Sequence, residues 1–197
     1  MGKTLVVGGA GLIGAAVVAA LGAKRCILAS RSSDEKVDIS DPNSLRALFG
    51  RLGELDGIVC TGGAAVFKSW DQQTDADWAF SLANKLMGQV NVVRYGAPSV
   101  RSGGGITLTT GMLAQYPVPG GTMITTVSAA VEAFVRAVAV ESLPVRVNAV
   151  SPGWVAETLQ AMGRDPALGI PAADVAKVLV RQLREGAPGT IALAAKG

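Results

Sequence analysis

The stretch KTLVVGGAGLIGAAVVAAL, residues 3–21, constrains the fold of this 197-residue chain more than any other. A β-branched run passes through a turn that contains Gly9, Gly11 and Gly14 and continues into a helical pattern. Glycines at this spacing allow a tight turn, a close approach of backbone N–H groups to an anion, and close packing of the helix on the strand. The stretch therefore predicts a β–α unit of a parallel sheet with an anion-binding turn.

The rest of the chain repeats this alternation of short strands and longer helices. Strands are predicted over 3–8, 25–30, 57–62, 105–110, 145–151 and 190–195, with a weaker one near 36–39. Helices are predicted over 12–21, 42–52, 75–100, 122–142 and 172–185. No linker or repeat interrupts the alternation, which is typical of βαβ units. We expect an α/β fold with one domain over 1–197, a single Rossmann-type doubly wound parallel sheet with helices on both faces.

The composition indicates a compact protein that binds a small molecule. Hydrophobic residues make up 49% of the chain and charged residues 17%, which supports one substantial core and excludes a disordered chain. The formal charge is only +3 and the basic residues are scattered, so we expect no nucleic-acid partner. The chain has no histidine and only two, distant cysteines, so no metal site is predicted.

The cellular location is predicted from the cysteines and the apolar runs. Cys26 and Cys60 lie in apolar segments, where reduced, buried thiols are expected. The first strand is predicted from Lys3 without a leader-like segment before it, and no apolar run approaches the about 20 residues of a membrane span. We therefore expect a cytoplasmic protein without membrane association.

The glycine-rich turn, in its strand-to-helix context, predicts a dinucleotide site. The residues expected near the pyrophosphate are Gly8, Gly9, Gly11, Leu12, Ile13 and Gly14. The second strand ends in Ser30, Arg31 and Ser32, where an NAD-preferring site presents an acidic residue to the ribose 2′-hydroxyl. A hydroxyl and a guanidinium suit a 2′-phosphate, which favours NADP(H) over NAD(H). The alternative is that Arg31 only faces solvent.

Four segments together resemble the short-chain dehydrogenase/reductase family. VVGGAGLIG (6–14) is similar to the family's glycine-rich turn, VDISD (37–41) to its adenine-side segment, CTGGA (60–64) to its Asn-Asn-Ala-Gly segment, and VNAVSPGWVAET (147–158) to its Pro-Gly segment. The resemblance implies a nicotinamide cofactor and a small-molecule substrate. The further cofactor contacts that it implies are Asp38, Ile39, Thr61, Gly62, Gly63, Pro152, Gly153 and Val155.

The family's catalytic Tyr and Lys, four residues apart on one helix, have no counterparts here. Alignment of the segment that ends in SAAVEAFVRAVAVE places Ile124 at the Tyr position and Ser128 at the Lys position. Neither Tyr nor Lys occurs between Pro117 and Pro144, so a shift in register does not restore the pair. Isoleucine cannot transfer a proton, and serine cannot supply a positive charge.

Three other residues are candidates for proton transfer. Lys85, in the helix predicted over 75–100, occupies the family's Asn position and either turns inward or extends to solvent. Thr110, at the end of the fifth predicted strand, stands at or beside the family's Ser position and either donates to a substrate or satisfies the strand-end backbone. Tyr116 either places its phenol near the site or packs against the neighbouring prolines.

Two classes of function follow from this combination. We favour an NADP(H)-dependent oxidoreductase that acts on a small carbonyl or alcohol with an atypical active site. The alternative is a catalytically silent NADP(H)-binding sensor or partner protein of the same fold. Residues 157–173 are predicted to form a small lid, and the resemblance implies a homodimer or homotetramer that pairs through the helices predicted over 75–100 and 122–142.

Overall fold

A computed structural model describes residues 3–196, which form one sheet of seven parallel strands. The strands are β1 (Lys3–Val7), β2 (Cys26–Ser30), β3 (Glu35–Lys36), β4 (Leu55–Cys60), β5 (Val100–Thr109), β6 (Arg146–Pro152) and β7 (Ile191–Ala194). Their order is β3-β2-β1-β4-β5-β6-β7, so the chain reverses its direction of travel across the sheet between β1 and β4. A crevice for ligands opens outside the carboxyl ends of the strands at such a switch point. The predicted doubly wound fold is confirmed.

Helices cover both faces of the sheet. They are α1 (Leu12–Leu21), α2 (Pro42–Arg51), α3 (Asp75–Ser81), α4 (Gly88–Gly96), α5 (Thr122–Val138), α6 (Ala156–Ala161) and α7 (Ala172–Glu185), and a π-helical segment, Leu82–Met87, joins α3 to α4. One core packs the side chains of α2, α4 and α5, such as Leu48, Val92 and Val131, against the sheet. The other packs α1 and α7, through residues such as Val17 and Leu179. Within residues 3–196, no helix combines the length and the apolar character needed to cross a membrane.

The region around 96–105 differs from the sequence prediction. The helix predicted over 75–100 ends at Gly96, because Pro98 follows in a short 3₁₀ turn, and β5 begins at Val100 rather than at 105. Glycines in this strand are required by packing, since a β-carbon on Gly105 would lie 2.5 Å from the carbonyl oxygen of Leu183 on α7. A glycine run that resembles a turn is therefore part of a strand pressed against a helix.

Candidate active site

Two connected concavities open at the carboxyl ends of the strands. The first, called here the glycine cleft, is lined by the β1–α1 turn, the end of β2 and residues 37–39 and 61–64. The second, called here the lysine cavity, has a volume of about 490 Å³ and is lined by residues that include Lys85, Thr110, Ile124 and Ser128. Gly63 lines both, so the two concavities adjoin at this residue.

The β1–α1 turn leaves no room for side chains where the glycine cleft begins. Gly8 has a φ of 83°, and a β-carbon there would lie 2.6 Å from the amide nitrogen of Gly62. A β-carbon on Gly14 would overlap the carbonyl oxygen of Gly8. Helix α1 starts after Gly11 without a side-chain cap and without an acidic residue in its first turn. Its first N–H groups are therefore available to an anion such as a phosphate.

A serine-rich turn after β2 presents Arg31 to the glycine cleft. The hydroxyl of Ser30 accepts hydrogen bonds from the backbone N–H groups of Ser32 at 3.2 Å and Ser33 at 3.0 Å. Arg31, between them, is exposed, and none of the salt bridges found in residues 3–196 includes it. The turn thus offers hydroxyl groups and an uncommitted guanidinium at one end of the cleft.

The opposite wall of the glycine cleft is built by Asp38 and Ile39. The carboxylate of Asp38 accepts hydrogen bonds from the amide and the hydroxyl of Ser40, at 2.9 and 2.6 Å, and these bonds hold the pKa of Asp38 below its usual value. Ile39 is buried against Gly88, where a β-carbon would lie 2.9 Å from the Ile39 side chain. Ile39 thus forms an apolar surface suited to a flat ring.

The other predicted cofactor residues divide into three groups. Ser30, Ser32, Thr61, Gly62 and Gly63 line the glycine cleft, while Pro152 and Gly153 line the lysine cavity. Gly9, Leu12, Ile13 and Gly14 form the junction between β1 and α1, behind or beside the cleft. The cofactor contact of Val155 stays a prediction, and its side chain lines neither concavity. Val155 pairs with Ile170 in an isolated bridge and is buried in the core under α7.

Lys85 turns inward from the π-helical segment. Its Nζ donates a hydrogen bond to the carbonyl oxygen of Thr109 at 2.8 Å and lies 3.5 Å from that of Thr110. Burial lowers the pKa of the Lys85 ammonium to about 8, an effect that outweighs the opposing influence of Cys60. From the sequence, Lys85 either turns inward or extends to solvent, and in the structure it turns inward. The third N–H of the ammonium is left for a group in the lysine cavity.

The hydroxyl of Thr110 is engaged inside the protein. It is buried and donates to Glu132 Oε1 at 3.1 Å, with the carbonyl oxygen of Val150 at 3.3 Å as a second acceptor. The other oxygen of Glu132 accepts a hydrogen bond from the Gln115 amide at 3.0 Å. Of the two alternatives for Thr110, the structure therefore has the one in which its hydroxyl bonds to protein groups near the end of its strand. Sequence reasoning missed Glu132, although a carboxylate on the apolar face of α5, one turn after Ser128, signals a buried polar network.

Tyr116 and two residues of α5, Ile124 and Ser128, complete the lining of the lysine cavity. Tyr116 is 62% exposed at the mouth of the cavity and is therefore not packed away. Ile124 and Ser128, at the positions aligned with the family's Tyr and Lys, both line the cavity. Other apolar walls come from Met112, Leu113, Val118, Trp154, Leu168 and Ile170. Hydrophobic side chains thus surround a small number of polar groups, as in most small-molecule sites.

Comparison with known proteins identifies the family. The family model described as enoyl-(acyl carrier protein) reductase matches residues 7–192. The chain belongs to the short-chain dehydrogenase/reductase family. The crystal structure of the protein lin1944 from Listeria innocua superposes on it with a TM-score of 0.92 and 31% identity, covering 98% of this chain and 99% of that one. A small-chain dehydrogenase solved in complex with NADPH superposes with a TM-score of 0.85 and 28% identity, covering 98% and 96%.

Curated short-chain dehydrogenase/reductase relatives are longer. A hydroxynaphthalene reductase-like protein, Arp2, of Metarhizium guizhouense is 30% identical over 133 residues, which are 64% of this chain and 50% of that protein. A cis-3,4-dihydrophenanthrene-3,4-diol dehydrogenase of Alcaligenes faecalis is 36% identical over 99 residues, 47% of this chain and 36% of that enzyme. The chain spans half the length, or less, of these curated relatives.

Members of the short-chain dehydrogenase/reductase family use a nicotinamide cofactor and bind small-molecule substrates. The glycine cleft fits the dinucleotide, because backbone groups rather than side chains line the β1–α1 turn where a pyrophosphate needs room. The lid predicted over 157–173 stays a prediction. The segment after β6 borders the lysine cavity through Leu168 and Ile170. It is held in place by Lys196, which donates to the carbonyl oxygen of Ala167 at 2.7 Å, and by Glu157, which accepts from the amide of Ala172 at 3.0 Å.

Proposed function

We propose that this short-chain dehydrogenase/reductase is an NADP(H)-dependent oxidoreductase that interconverts a small carbonyl compound and its alcohol, with Lys85 as the proton-transferring residue. The observation that carries the proposal is the inward position of Lys85. Its Nζ donates to the Thr109 carbonyl oxygen at 2.8 Å, and the residue lines a cavity that adjoins the glycine cleft at Gly63. An ionisable group therefore stands beside the expected reaction centre, although α5 carries neither Tyr nor Lys.

The residues of the two concavities would hold the cofactor along its length. The β1–α1 turn would bind the pyrophosphate, Ser30, Arg31 and Ser32 the 2′-phosphate, Asp38 and Ile39 the adenine side, and Pro152 and Gly153 the nicotinamide side. A bound nicotinamide would supply or accept the hydride. The preference for NADP(H) over NAD(H) is supported by the uncommitted guanidinium of Arg31 and by the related dehydrogenase solved with NADPH.

Lys85 is suited to move a proton in either direction near neutral pH. With a pKa lowered to about 8 by burial, the ammonium is a stronger acid than an exposed lysine and remains protonated at pH 7. In reduction, the carbonyl group would become an alkoxide, and Nζ would donate a proton to the alkoxide oxygen. In oxidation, the neutral amine takes the proton from the alcohol. The carbonyl oxygen of Thr109 orients Nζ in both directions.

We propose an apolar, ring-containing substrate. Trp154, Met112, Leu113 and Ile170 give the lysine cavity its apolar walls. The names of the curated relatives refer to a hydroxynaphthalene and to a dihydrophenanthrene diol, both fused aromatic systems. Tyr116, at the mouth, can stack on such a ring or hold a water molecule near it.

A silent NADP(H)-binding protein is the second candidate function, and one observation favours it. Ile124 and Ser128 leave the α5 side of the cavity without an acid or a base. For either function we propose a homodimer or homotetramer, since apolar side chains of the α3–α4 region, including Phe80 and Met87, are more than 40% exposed. The free thiols of Cys26 and Cys60 suit a reducing compartment, and we propose a cytoplasmic location.

The substitution Lys85→Met tests the proposed function directly. We expect NADPH binding to persist and turnover to fall by about 100-fold or more, the usual contribution of a positioned acid or base. The measurements are NADPH binding by fluorescence and NADPH oxidation over a panel of ketones, aldehydes and quinones. Lys177→Met is the matched control, because Lys177 is exposed and pairs with Asp174 on the outer side of α7.

Two results would contradict the proposal. Unchanged turnover in Lys85→Met would exclude Lys85 as the proton donor. Stoichiometric NADPH binding by the unmodified chain without oxidation by any compound of the panel would favour the silent binding protein instead.

A further inference from the structure

The lysine cavity contains a positive charge that has no negative partner. The Nζ of Lys85 is held by carbonyl oxygens of the β5 end, and the salt bridges found within residues 3–196 do not include Lys85. Two of its three N–H groups can be assigned to these carbonyls, so the third is available on the cavity side. The side chain is only half-buried, which is consistent with an open approach from the cavity.

The walls of the lysine cavity offer nothing to neutralise this charge. Among residues 3–196, no Asp or Glu lines the lysine cavity. Glu132 lies behind Thr110, and both of its carboxylate oxygens are engaged, one by the Thr110 hydroxyl and one by the Gln115 amide. The other charged residue on the lining is Lys196, which is also positive and is exposed at the rim.

We infer that the lysine cavity selects apolar organic acids, and that an anionic oxygen of the ligand binds Lys85 while its ring occupies the apolar walls. This inference rests on the proposed function only in taking the lysine cavity as the substrate site. A carboxylate, an enolate or a phenolate provides the shared chemistry, an oxygen anion on an apolar body. An ion pair inside apolar walls is stronger than one in water, because the walls exclude the solvent that would screen it.

The charge of Lys85 distinguishes such ligands from neutral ones of equal shape. A neutral carbonyl oxygen would also accept a hydrogen bond from Nζ, but only an anionic oxygen adds a direct ion pair with the ammonium. The acidic ligand would thereby satisfy the one group in the cavity that is costly to leave unpaired. Lys196 is hydrogen bonded to the Ala167 carbonyl and solvated at the rim, so its contribution to this selectivity should be small.

The test is a pair of ligands with one shape and two charges, 2-naphthoate and 2-naphthamide. Their dissociation constants are measured by calorimetry on the full chain, with and without saturating NADP⁺. We expect naphthoate to bind at least about tenfold more tightly than naphthamide in the unmodified chain. An equal affinity for the two ligands, or no measurable binding of naphthoate, would overturn the inference without the use of any variant.

Two lysine variants locate the charge that is responsible. Lys85→Met should remove the preference for naphthoate, because naphthamide loses only a hydrogen bond to Nζ whereas naphthoate loses the ion pair as well. NADPH binding that equals that of the unmodified chain shows that the variant is folded. Lys196→Met should retain most of the preference. A preference that survives in Lys85→Met, or that disappears in Lys196→Met alone, would contradict the assignment to Lys85.

This test separates the inference from the proposed function. If the chain binds NADPH and reduces neutral ketones yet shows no preference for naphthoate, the inference is wrong and the oxidoreductase stands. If naphthoate is preferred through Lys85 but no NADPH oxidation is found, the selectivity for organic acids stands and the proposed redox reaction is wrong. Phenolate and carboxylate ligands are distinguished by repeating the titration near neutral pH with a nitro-substituted naphthol, which is ionised there while the Lys85 ammonium is still present.

Discussion

The glycine cleft and the lysine cavity are neighbours joined at Gly63, but they are built in different ways. The cleft is made by backbone and by missing side chains, as at Gly8, where a β-carbon would lie 2.6 Å from the Gly62 amide. The cavity is made by side chains that converge from separate elements, with Lys85 from the π-helical segment and Ser128 from α5. Backbone geometry tolerates few alternatives, whereas side chains that meet in a cavity can be exchanged one by one.

The two regions also differ in how far they tolerate substitution. At Gly8 and Gly14 of the β1–α1 turn, a larger residue would collide with the chain itself. Ile124 and Ser128, in contrast, fill their positions on α5 without disturbing the helix. Residues on the cavity side of α5 can therefore change while the turn of the glycine cleft stays the same.

The largest expected effect concerns the backbone-built region. Gly14→Ala should lower the free energy of unfolding by about 3 kcal/mol, since its β-carbon would overlap the Gly8 carbonyl oxygen and neither backbone can move freely. The measurement is denaturant unfolding together with NADPH binding. Gly50→Ala, in α2 with nothing within 4 Å of the new β-carbon, is the control and should leave stability unchanged or slightly higher. Equal stability of Gly14→Ala and the unmodified chain would contradict the packing described for this turn.

The next effect tests Arg31, a side chain that lines the glycine cleft. Arg31→Asp should weaken NADPH binding by about 2 kcal/mol, roughly thirtyfold, and leave NADH binding little changed, because only NADPH carries a 2′-phosphate. Dissociation constants for both cofactors provide the measurement. Lys24→Asp makes the same change in charge at an exposed site outside the cleft and should affect neither. An equal loss for both cofactors in Arg31→Asp would exclude the 2′-phosphate role.

A smaller effect concerns the network behind the lysine cavity. Glu132→Ala leaves the Thr110 hydroxyl and the Gln115 amide without their acceptor and should cost about 1.5 kcal/mol of stability. Glu132→Gln keeps an acceptor of the same size and should cost less than half of that. Chemical denaturation of the two variants provides the comparison. If both variants lose the same stability, the negative charge rather than the hydrogen-bond geometry holds this network.

The smallest effect is the dependence of the reaction on pH. Because burial lowers the pKa of Lys85 to about 8, the ammonium is present below that pH and is lost above it. Carbonyl reduction should therefore be flat below about pH 7 and fall about tenfold between pH 7 and pH 9, whereas alcohol oxidation should rise over the same range. Cys60 stays neutral across this range, since burial raises its pKa to about 11. Tyr116 and Lys196 also lie on the cavity, so the profile is compared with that of Lys85→Met, which should show no such limb.

The fold and the glycine cleft could be predicted from sequence for a local reason. Gly8, Gly11 and Gly14 lie in one turn, and Ser30 to Ser32 lie in another, so each signal is contained in a few consecutive residues. The boundary near 96–105 was predicted wrongly, because the strand there includes Gly105, which packs against Leu183 of α7, a residue distant along the chain. The inward position of Lys85 and the engagement of Thr110 by Glu132 depend on residues far apart in sequence, and the sequence left their alternatives open.

The doubly wound α/β order, the glycine-rich turn and the absence of Tyr and Lys between Pro117 and Pro144 can all be read from consecutive residues of the sequence. The inward position of Lys85 and the place of Val155 in the core become visible only in the folded chain. Burial accounts for this difference. The direction of a charged side chain depends on which carbonyl groups and apolar walls surround it, and those come from β5, α5 and the segment after β6, which meet only in the folded chain.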